Sequence, residues 1–405
     1  MKRKKVYAAI IGGGAAGLMC ALRAAQQNKN KEIVILEKAD RVGKKLLVTG
    51  NGRCNLSHTG ATADSYHGEG AEELINILFE NYNSGAVLAY FRDLGLMTTA
   101  DSEGRVYPRS NLASSVLDVL RLRLRDCGVE EICGVQLSEI RRTRTGYEVI
   151  ADDGIIAAEK LVIAVGGKAD YAGRESGAEI VKSLGLAAVK PSPSLSPVKI
   201  GGDVLRLLKG VRAAAQVSLY RHHQLIKSER GEVQFTDGAL SGICVFNLSR
   251  WANRDGGCEI SLSLLPGLSR DEVAAELKAR MELNGGNTLA DSFVGMFHKN
   301  IANALIKAAD LTPSTPCNYI SDKELNSLTE TICDWRFKTI PRHDFKNAQV
   351  TAGGVKLSEI DPRTFETKKH KGLYIIGEAL DVDGDCGGYN LQFAFASGMC
   401  AGDSL

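Results

Sequence analysis

Residues 6–17 read VYAAIIGGGAAG, a short apolar run that passes directly into glycines. The run is rich in residues that favour β-strands, and residues 18–27 have the apolar spacing of a helix. A second apolar run, EIVIL at 32–36, ends at Glu37. The order strand, glycine turn, helix, strand and acid is that of a Rossmann unit, so we expect an α/β fold that binds a dinucleotide.

The glycines of this turn have separate tasks in dinucleotide binding. Gly12 permits the tight turn, Gly14 lets the backbone approach a pyrophosphate, and Gly17 lets the helix press on the strand. The helix N-terminus offers unpaired N–H groups and a partial positive charge. Glu37, 20 residues after Gly17, can accept hydrogen bonds from both ribose hydroxyls and disfavours a 2′-phosphate. The predicted contacts of this unit are Gly12, Gly14, Ala15, Ala16, Gly17 and Glu37.

The stretch after Glu37 favours FAD over NAD alone. Residues 38–47 read KADRVGKKLL and residues 48–58 read VTGNGRCNLSH. They resemble the loop that runs back along the cofactor in FAD proteins of the glutathione-reductase type. Glycines and small polar side chains let the backbone approach a flavin, and Arg53 and Asn55 can donate hydrogen bonds to flavin or substrate oxygens. The predicted contacts here are Lys38, Gly43, Lys44, Lys45, Asn51, Gly52, Arg53, Cys54 and Asn55.

The last part of the chain resembles the closing element of two-part FAD domains. A strand at 373–376 ends at Gly377-Glu378, and residues 387–390 open an apolar helix at 391–401. In such domains the acid contacts the ribityl or phosphate region, and the helix N-terminus points at flavin N1 and O2. The alternating acids of 381–385 do not make a calcium loop, because the required sixth and twelfth residues are absent. The predicted contacts of this element are Gly377, Glu378, Asp385, Gly388, Tyr389, Asn390 and Leu391. Two further contacts are predicted in the middle of the first domain: Gly166, in a turn at a strand end, and Leu137, in a strand-like stretch at 128–140, which would lie beside the adenine.

Composition limits the class of protein. The chain has 405 residues, 44% of them hydrophobic, 24% charged, and a net charge of +2, which gives no electrostatic case for nucleic acid. No run approaches the roughly 18 apolar residues of a spanning helix, and the basic start has too short an apolar run for a signal peptide. The ten cysteines include no CxxC pair, and His222-His223 has no third ligand, so we expect a cytoplasmic protein with reduced thiols and no metal.

Prolines and a change of pattern indicate insertions. Pro191, Pro193 and Pro197 cluster at a boundary, short strands follow to about 265, and helical spacing follows from 269 to 335. We therefore predict an FAD-binding domain made of 1–190 and 341–405, an inserted β domain at 191–265 and an inserted helical domain at 266–340.

Several motifs, taken in order, resemble the BaiN/YhiN-type flavoproteins. They are IGGGAAG, GKKLLVTGNGRCNLSH, FTDGALSGI, QVTAGGV and GEALDVDGDCGGYNLQFAFASG, and they span nearly the whole chain. The resemblance implies a discontinuous Rossmann-like FAD-binding domain of the glutathione-reductase type that holds a β-barrel-like and a small helical insert. It also makes reduction of conjugated double bonds in 3-oxo-Δ4/Δ6 bile acids one candidate activity. Asp237 and Ile243 depart from the usual His and Pro of the family motif, so the substrate or mechanism can differ.

The leading hypothesis is an FAD-dependent reductase of a hydrophobic enone, an enzyme that acts on CH–CH groups. No second GxGxxG unit is evident, so NAD(P)H would bind transiently in the substrate cleft, or another donor would serve. Arg53, Tyr389 and Asn55 are the predicted catalytic residues, because an enone needs a donor at its carbonyl oxygen and a proton at the adjacent carbon. His58 and Tyr107 are weaker candidates. Two alternatives stay open, an FAD-dependent oxidase that acts on an amine or other small molecule and a non-catalytic, flavin-bound interaction factor.

Overall fold

The computed structural model describes residues 2–152, 154–169, 183–202, 205–254 and 256–405. The chain divides into two compact units, one made of Met1–Pro191 with Gln349–Leu405 and the other of Ser192–Ala348. The first unit is thus discontinuous in sequence, and the second is inserted into it.

Among the described residues, seven strands form the main sheet of the first unit. Lys2–Ile11 pairs in parallel with Ile33–Glu37 on one side and with Gly154–Ile163 on the other. All but the last residue of Ile33–Glu37 are buried, as expected for a strand covered on both faces. The order across the sheet is Glu130–Cys133, Ile33–Glu37, Lys2–Ile11, Gly154–Ile163, Tyr147–Ala151 and Leu137–Arg142, and Leu373–Ile375 also pairs with Gly154–Ile163.

Two helices pack closely beside this sheet, the N-terminal helix (Ala15–Gln27) and the C-terminal helix (Tyr389–Ser404). Gly398 of the C-terminal helix lies against Ala16 of the N-terminal helix, and the later Gly402 lies against the later Arg23. The two helices therefore run in parallel. A Cβ on Gly398 would lie 2.5 Å from the carbonyl oxygen of Ala16, and one on Gly402 would lie 2.6 Å from the Cβ of Arg23. The glycines therefore let the two helices approach at backbone distance, and both helix N-termini point in the same direction.

The turn after the first strand depends on glycine for steric reasons. Gly12 has φ +106°, and a Cβ on it would overlap the carbonyl oxygen of Ala164. A Cβ on Gly17 would overlap the carbonyl oxygen of Gly12. Both observations agree with the roles predicted from the motif.

The first unit contains further short elements. Its other helical segments are Lys44–Val48, Thr49–Gly52, Ala63–Ser65, Ala71–Tyr82, Ser84–Asp93, Ala113–Asp126, Leu357–Glu359 and Gly377–Ala379. Its short strands are Ser57–His58, Tyr66–His67, Thr98–Ala100, Arg105–Pro108, Val350–Val355 and Asp383–Gly384, and Val350–Val355 pairs with Ala188–Ser194.

The second unit combines a sheet and helices on one core. Its strands run in the order Val198–Lys199, Ala239–Ser241, Gln224–Phe235, Arg212–Arg221, Cys258–Ser263 and Trp335–Lys338. Its helical segments are Leu205–Leu208, Ile243–Arg254, Arg270–Asn284, Leu289–Ser292, Lys299–Ala308, Cys317–Tyr319 and Asp322–Cys333. Side chains of the sheet such as Val217 share one buried cluster with side chains of the helices such as Leu277 and Leu328.

In this unit the structure departs from the predicted domain division and from one predicted stretch of strand. The boundaries fall after Pro191 and Ala348, and no division falls near 266, because the strands and helices bury the same cluster. Residues 243–254, predicted as part of a run of short strands, form a helix. Arg212–Arg221 and Gln224–Phe235 form a hairpin, and its turn consists of His222 and His223, whose φ values of 48° and 65° are left-handed.

Within the described chain, no helix has both the length and the apolar character needed to span a membrane. No group of three or more metal-ligating side chains occurs in the described residues either.

Candidate active site

The site begins where the first two strands end. The carboxylate of Glu37 accepts the backbone N–H of Gly13 and that of Ala39, each at 2.8 Å. The backbone around the glycine turn thus fixes the orientation of the acid that was predicted to bind ribose. In the described part of the chain, no atom beyond the neighbours of Gly14 lies within 4 Å of the position where its Cβ would be, so the backbone at the start of the N-terminal helix has space for a ligand.

The N-terminal helix begins at Ala15, directly after this open position, and Ala16 is buried. Over its described residues the helix has no side-chain cap and no acid in its first turn. Its first N–H groups are therefore available to an anion such as a pyrophosphate. The backbone N–H of Gly43 donates to the carbonyl oxygen of Gly13 at 2.8 Å, which brings the next segment to the same place.

Residues 44–48 form a short helix instead of the loop that the sequence suggested, and Gly43 caps it with φ +74°. The side chain of Leu117 occupies the space that a Cβ on Gly43 would need. Lys38 is exposed, and the Nζ of Lys44 pairs with Asp40 at 2.5 Å. The Nζ of Lys45 instead reaches Glu378 at 2.5 Å, so this helix is joined to the C-terminal part of the chain.

A left-handed segment follows at residues 50–54. Gly50, Asn51, Gly52 and Cys54 have φ values of 57°, 55°, 82° and 58°. Positive φ is costly for Asn and more so for Cys, and such strain is found preferentially at functional sites. The segment exposes Asn51 and Arg53 while it buries Cys54 completely. Burial raises the pKa of the Cys54 thiol to about 12, which makes it unsuited to redox chemistry at neutral pH.

Arg53 and Asn55 lie on either side of the buried cysteine. The guanidinium carbon of Arg53 lies 4.8 Å from the centre of the Tyr107 ring, and its Nε donates to the carbonyl oxygen of Gly50 at 3.3 Å. The Oδ1 of Asn55 is buried with no hydrogen-bond partner in the described residues. It lies 2.6 Å from the position of a Cβ on Gly388, so Asn55 directly faces the start of the C-terminal helix.

Gly388 caps the C-terminal helix with φ +104° and thereby lets Asn55 and the carbonyl oxygen of Ser57 come close. Over its described residues this helix also begins without a side-chain cap or a first-turn acid. Its second residue, Asn390, accepts from the backbone N–H of Gly384 at 2.8 Å and donates to the carbonyl oxygen of Gly384 at 2.9 Å. Asn390 therefore braces the preceding loop, and Leu391 packs against the hydrophobic core.

The ring of Tyr389 stacks on that of His58, with 4.7 Å between their centroids. The hydroxyl of Tyr66 donates to the carbonyl oxygen of Tyr389 at 3.0 Å, and burial holds the pKa of Tyr66 well above its usual range. His58 itself is bonded to the backbone through both ring nitrogens, since Nδ1 accepts from Gly60 and Nε2 bonds to the carbonyl oxygen of Glu103. Both ring nitrogens of His58 are thus engaged with the backbone, which fixes the ring on which Tyr389 stacks.

Two residues near the predicted contacts were not found from the sequence. His67 bonds through Nε2 to Asp385 at 2.8 Å, next to the strand pair formed by Tyr66–His67 and Asp383–Gly384. Thr351 donates its backbone N–H to Glu378 at 2.8 Å. No spacing rule links these residues to their partners, because they meet only through the fold.

Gly377, Gly166 and Leu137 complete the set of predicted contacts. A Cβ on Gly377 would lie 2.9 Å from the Cβ of Ala16, so Gly377 borders the N-terminal helix, whereas no atom of the described residues beyond its chain neighbours lies within 4 Å of a Cβ on Gly166. The predicted strand 128–140 is two strands, and Leu137 begins the second, at the sheet edge opposite Glu130–Cys133. Val135, between them, donates its N–H to the carbonyl oxygen of Glu37 at 3.0 Å. The structure thus places Val135 beside the ribose acid, and the adenine contact of Leu137 stays a prediction.

The comparisons with known proteins agree with this arrangement. Residues 6–404 match the HI0933-like protein Rossmann domain family. This chain belongs to that family. The fold is the predicted α/β fold of Rossmann type that binds FAD, and its main sheet contains parallel and antiparallel pairs. The predicted BaiN/YhiN-type membership is confirmed.

Two curated relatives align over almost their full length. A 3-dehydro-bile acid delta(4,6)-reductase from Clostridium scindens is 34% identical over 400 residues, which are 97% of this chain and 97% of the relative. A ribosomal RNA dihydrouridine synthase from Escherichia coli is 26% identical over 415 residues, 98% of each chain. Among solved structures, a quinol-fumarate reductase with menaquinol molecules has a TM-score of 0.51 at 14% identity, over 100% of this chain and 71% of that chain. At that identity the likeness concerns the fold alone.

The residues present fit an FAD molecule. Gly14 leaves backbone space at the positive end of the N-terminal helix, where the pyrophosphate would lie. The Glu37 carboxylate is fixed by two backbone N–H groups and keeps acceptor capacity for ribose hydroxyls. The Oδ1 of Asn55, at the start of the C-terminal helix, has no donor in the described part of the chain, and a flavin offers an N–H group. Family, fold and these contacts together support an FAD-dependent oxidoreductase.

Proposed function

We propose that the protein is an FAD-dependent reductase that adds hydrogen across a carbon–carbon double bond conjugated with a carbonyl group. Both curated relatives support this class through the chemistry that their names describe. A 3-dehydro bile acid with delta(4,6) unsaturation and the uracil ring of uridine each contain such a double bond. The greater identity of the bile acid reductase makes a 3-oxo-Δ4 steroid-like enone the first substrate class to test.

One observation of the structure carries the proposal. Asn55, which follows the left-handed segment 50–54, faces Gly388 at the glycine-capped start of the C-terminal helix, and Arg53, two residues before it, lies over the ring of Tyr107. An amide thus lies at a helix N-terminus, and a cationic donor stands two residues away in sequence; groups of these kinds favour negative charge on a carbonyl oxygen or on a reduced ring. An enone that accepts a hydride develops such charge on its oxygen.

Bound FAD would supply the hydride, and the protein would bind, orient and polarise the substrate. We assign the carbonyl oxygen to Arg53, because its guanidinium is exposed and held over Tyr107 at 4.8 Å. We assign the proton for the carbon next to the carbonyl to Tyr389, whose ring is fixed by its stack on His58. Asn55 would hold the flavin or the substrate through its Oδ1.

NAD(P)H is the proposed electron donor. The sequence has one glycine-rich turn of Rossmann spacing. Its contacts with Glu37 and with the N-terminal helix suit FAD, so this turn is not open to a nicotinamide nucleotide. The nicotinamide nucleotide would therefore bind transiently and leave before the substrate enters. This order predicts ping-pong kinetics with NAD(P)H and the enone as alternating substrates.

Anaerobic stopped-flow spectroscopy tests the proposal. The purified protein is mixed with NADH or NADPH, and the bleached flavin is then mixed with 3-oxo-Δ4 steroids, with uridine as the comparison. Bleaching by a nicotinamide nucleotide, followed by reoxidation by a steroid enone, is the expected result. If neither nucleotide bleaches the flavin and a separate aerobic assay shows oxygen uptake with an amine, an oxidase would be favoured instead. A protein that takes up no FAD would overturn the proposal.

A substitution separates the role of Arg53 from a general effect on the fold. Arg53→Met should lower the rate of flavin reoxidation by the enone about a hundredfold, as for loss of one donor to a developing oxyanion. Bleaching by NAD(P)H should stay near the wild-type rate. Arg144→Met is the control, because Arg144 is also exposed and lies in the hairpin turn of the sheet. Equal rates for the two variants would remove Arg53 from the mechanism.

A further inference from the structure

A chain of polar contacts connects four segments of the first unit. The Nζ of Lys45 pairs with one carboxylate oxygen of Glu378 at 2.5 Å, and the other oxygen accepts the backbone N–H of Thr351 at 2.8 Å. The hydroxyl oxygen of Thr351 accepts the N–H of Ala169 at 2.9 Å. The helix Lys44–Val48, the strand Val350–Val355, the turn that contains Gly377 and the turn at 166–169 are thus joined through three contacts.

The contacts are protected from water at their centre. Thr351 is 1% exposed and Ala169 is 3% exposed, so the N–H of Ala169 depends on the Thr351 hydroxyl for its hydrogen bond. Packing is equally close, since a Cβ on Gly167 would overlap the Thr351 hydroxyl and lie 2.7 Å from Glu378. A buried donor that loses its partner forces its segment to move.

The ends of this chain of contacts are residues that the FAD hypothesis places at the cofactor. Glu378 and Lys45 are predicted contacts, and Gly166 opens the turn that Ala169 closes. Each carboxylate oxygen of Glu378 accepts one hydrogen bond from the protein and can accept another. Its carboxylate is therefore held in one orientation with capacity left for hydroxyl groups of a ligand.

We propose that Thr351 is a positioning residue for the cofactor, which fixes Glu378 through its backbone N–H and the 166–169 turn through its hydroxyl. This inference rests on the proposed use of FAD. Thr351 need not touch the cofactor. Its effect on binding passes through the two segments that it holds together.

The test measures FAD affinity by fluorescence quenching when FAD is added to the flavin-stripped, full-length protein. Thr351→Val keeps the shape and the backbone N–H but leaves Ala169 without an acceptor, and it should raise the Kd for FAD about tenfold. Thr351→Ser retains the hydroxyl and should restore wild-type affinity. Should the Val variant not fold, Thr351→Ala removes the same acceptor without placing a methyl group against Ala169, and it should also raise the Kd about tenfold.

Thr367→Val is the matched control. Thr367 is 3% exposed in the same unit, and its hydroxyl bonds to the backbone of His370 instead. An unchanged Kd in Thr351→Val, or an equal rise in Thr367→Val, would overturn the positioning role while wild-type binding still supported the proposed function. If the wild-type protein bound no FAD, both proposals would fall.

Discussion

The imidazole ring of His58 lies over the phenol ring of Tyr389, with 4.7 Å between the ring centroids and 22° between the ring planes. The nitrogens of His58 are bonded to Gly60 and Glu103, so the ring has one fixed orientation. Tyr389 is the first residue of the C-terminal helix, and its carbonyl oxygen accepts a hydrogen bond from the hydroxyl of Tyr66. A proton donor at this position would therefore be held at both its ring and its backbone.

This relationship predicts different results for two substitutions of His58. His58→Ala removes the stack and should lower the rate of enone reduction about tenfold, because Tyr389 then samples several rotamers. His58→Phe keeps a flat ring over Tyr389 and should retain most of the rate. Stopped-flow reoxidation of the reduced flavin measures both. If Phe is as slow as Ala, the backbone hydrogen bonds of His58 matter and the stack does not.

A second prediction concerns the contact between the two helices. Alanine normally favours a helix over glycine by about 1 kcal/mol. At Gly398 the added methyl would lie 2.5 Å from the carbonyl oxygen of Ala16 and 3.1 Å from the Cβ of Met19. We expect Gly398→Ala to destabilise the protein by about 1–3 kcal/mol in chemical denaturation. It should also weaken FAD binding, because both helix N-termini would shift.

Gly286→Ala provides the control for this steric argument. Among the residues that the structure describes, none beyond the chain neighbours of Gly286 comes within 4 Å of its Cβ position, and its φ is not in the left-handed region. Its replacement should leave the free energy of unfolding within about 0.5 kcal/mol of wild type. A Gly398 variant as stable as the Gly286 variant would show that the helices can separate at little cost.

The parts of the fold that follow from local sequence were predictable. The first strand, the glycine turn, the N-terminal helix and Glu37 are consecutive in sequence, and their spacing alone determines the unit. The helix Ile243–Arg254 was not predicted, because its neighbours are strands and its buried face includes polar residues such as Asn247 and Arg250. Burial of that face against the sheet overrides a weak local pattern.

The candidate site was predictable by segment but not by contact. The sequence indicated that 48–58 and 378–391 both approach the cofactor, and the structure joins them through Asn55 and Gly388. The Thr351 contact with Glu378 and the His67 contact with Asp385 were missed. The partners in these contacts are separated by 27 and 318 positions, so only the folded chain brings them together.

A third prediction concerns thiol reactivity. Cys54 is fully buried, whereas Cys127 is exposed. Alkylation by iodoacetamide requires both access and a thiolate. At pH 8 we expect mass spectrometry to find Cys127 modified and Cys54 intact in the native protein, with both modified in denaturant. Rapid native modification of Cys54 would show that the segment 50–54 opens readily.

The same cysteine predicts a dependence of stability on pH. Burial raises the folded-state pKa of Cys54 to about 12, above the value of about 8.5 for an unfolded thiol. A raised pKa stabilises the folded state below the unfolded value, and this contribution is lost as the pH rises from about 8.5 to about 12. Cys54→Ala should therefore flatten the fall in unfolding free energy across that window relative to wild type. Cys127→Ala, at an exposed site, is the control, and equal curves for the two variants would contradict the prediction.

The last prediction concerns the ion pair that joins the two helices at their far ends. The carboxylate of Asp403 accepts from Arg23 through Nε at 2.7 Å and Nη2 at 2.6 Å, and from the hydroxyl of Tyr82 at 3.0 Å. Only about one fifth of each charged side chain is exposed, so solvent screens the pair weakly. Asp403→Asn should lower the free energy of unfolding by about 1–3 kcal/mol.

Glu139→Gln tests whether burial causes this effect. Glu139 also pairs with an arginine through two hydrogen bonds, at 2.8 Å and 2.6 Å, but the side chains of Arg141 and Glu139 are 58% and 48% exposed. Exposed pairs of this kind contribute about 0–1 kcal/mol, so its melting temperature should stay near wild type. Because the geometry of the two pairs is alike, a larger loss for Asp403→Asn would come from the burial of the pair and from the hydrogen bond that Tyr82 donates to Asp403. Equal losses would mean that burial does not increase the contribution of the Arg23–Asp403 pair to stability.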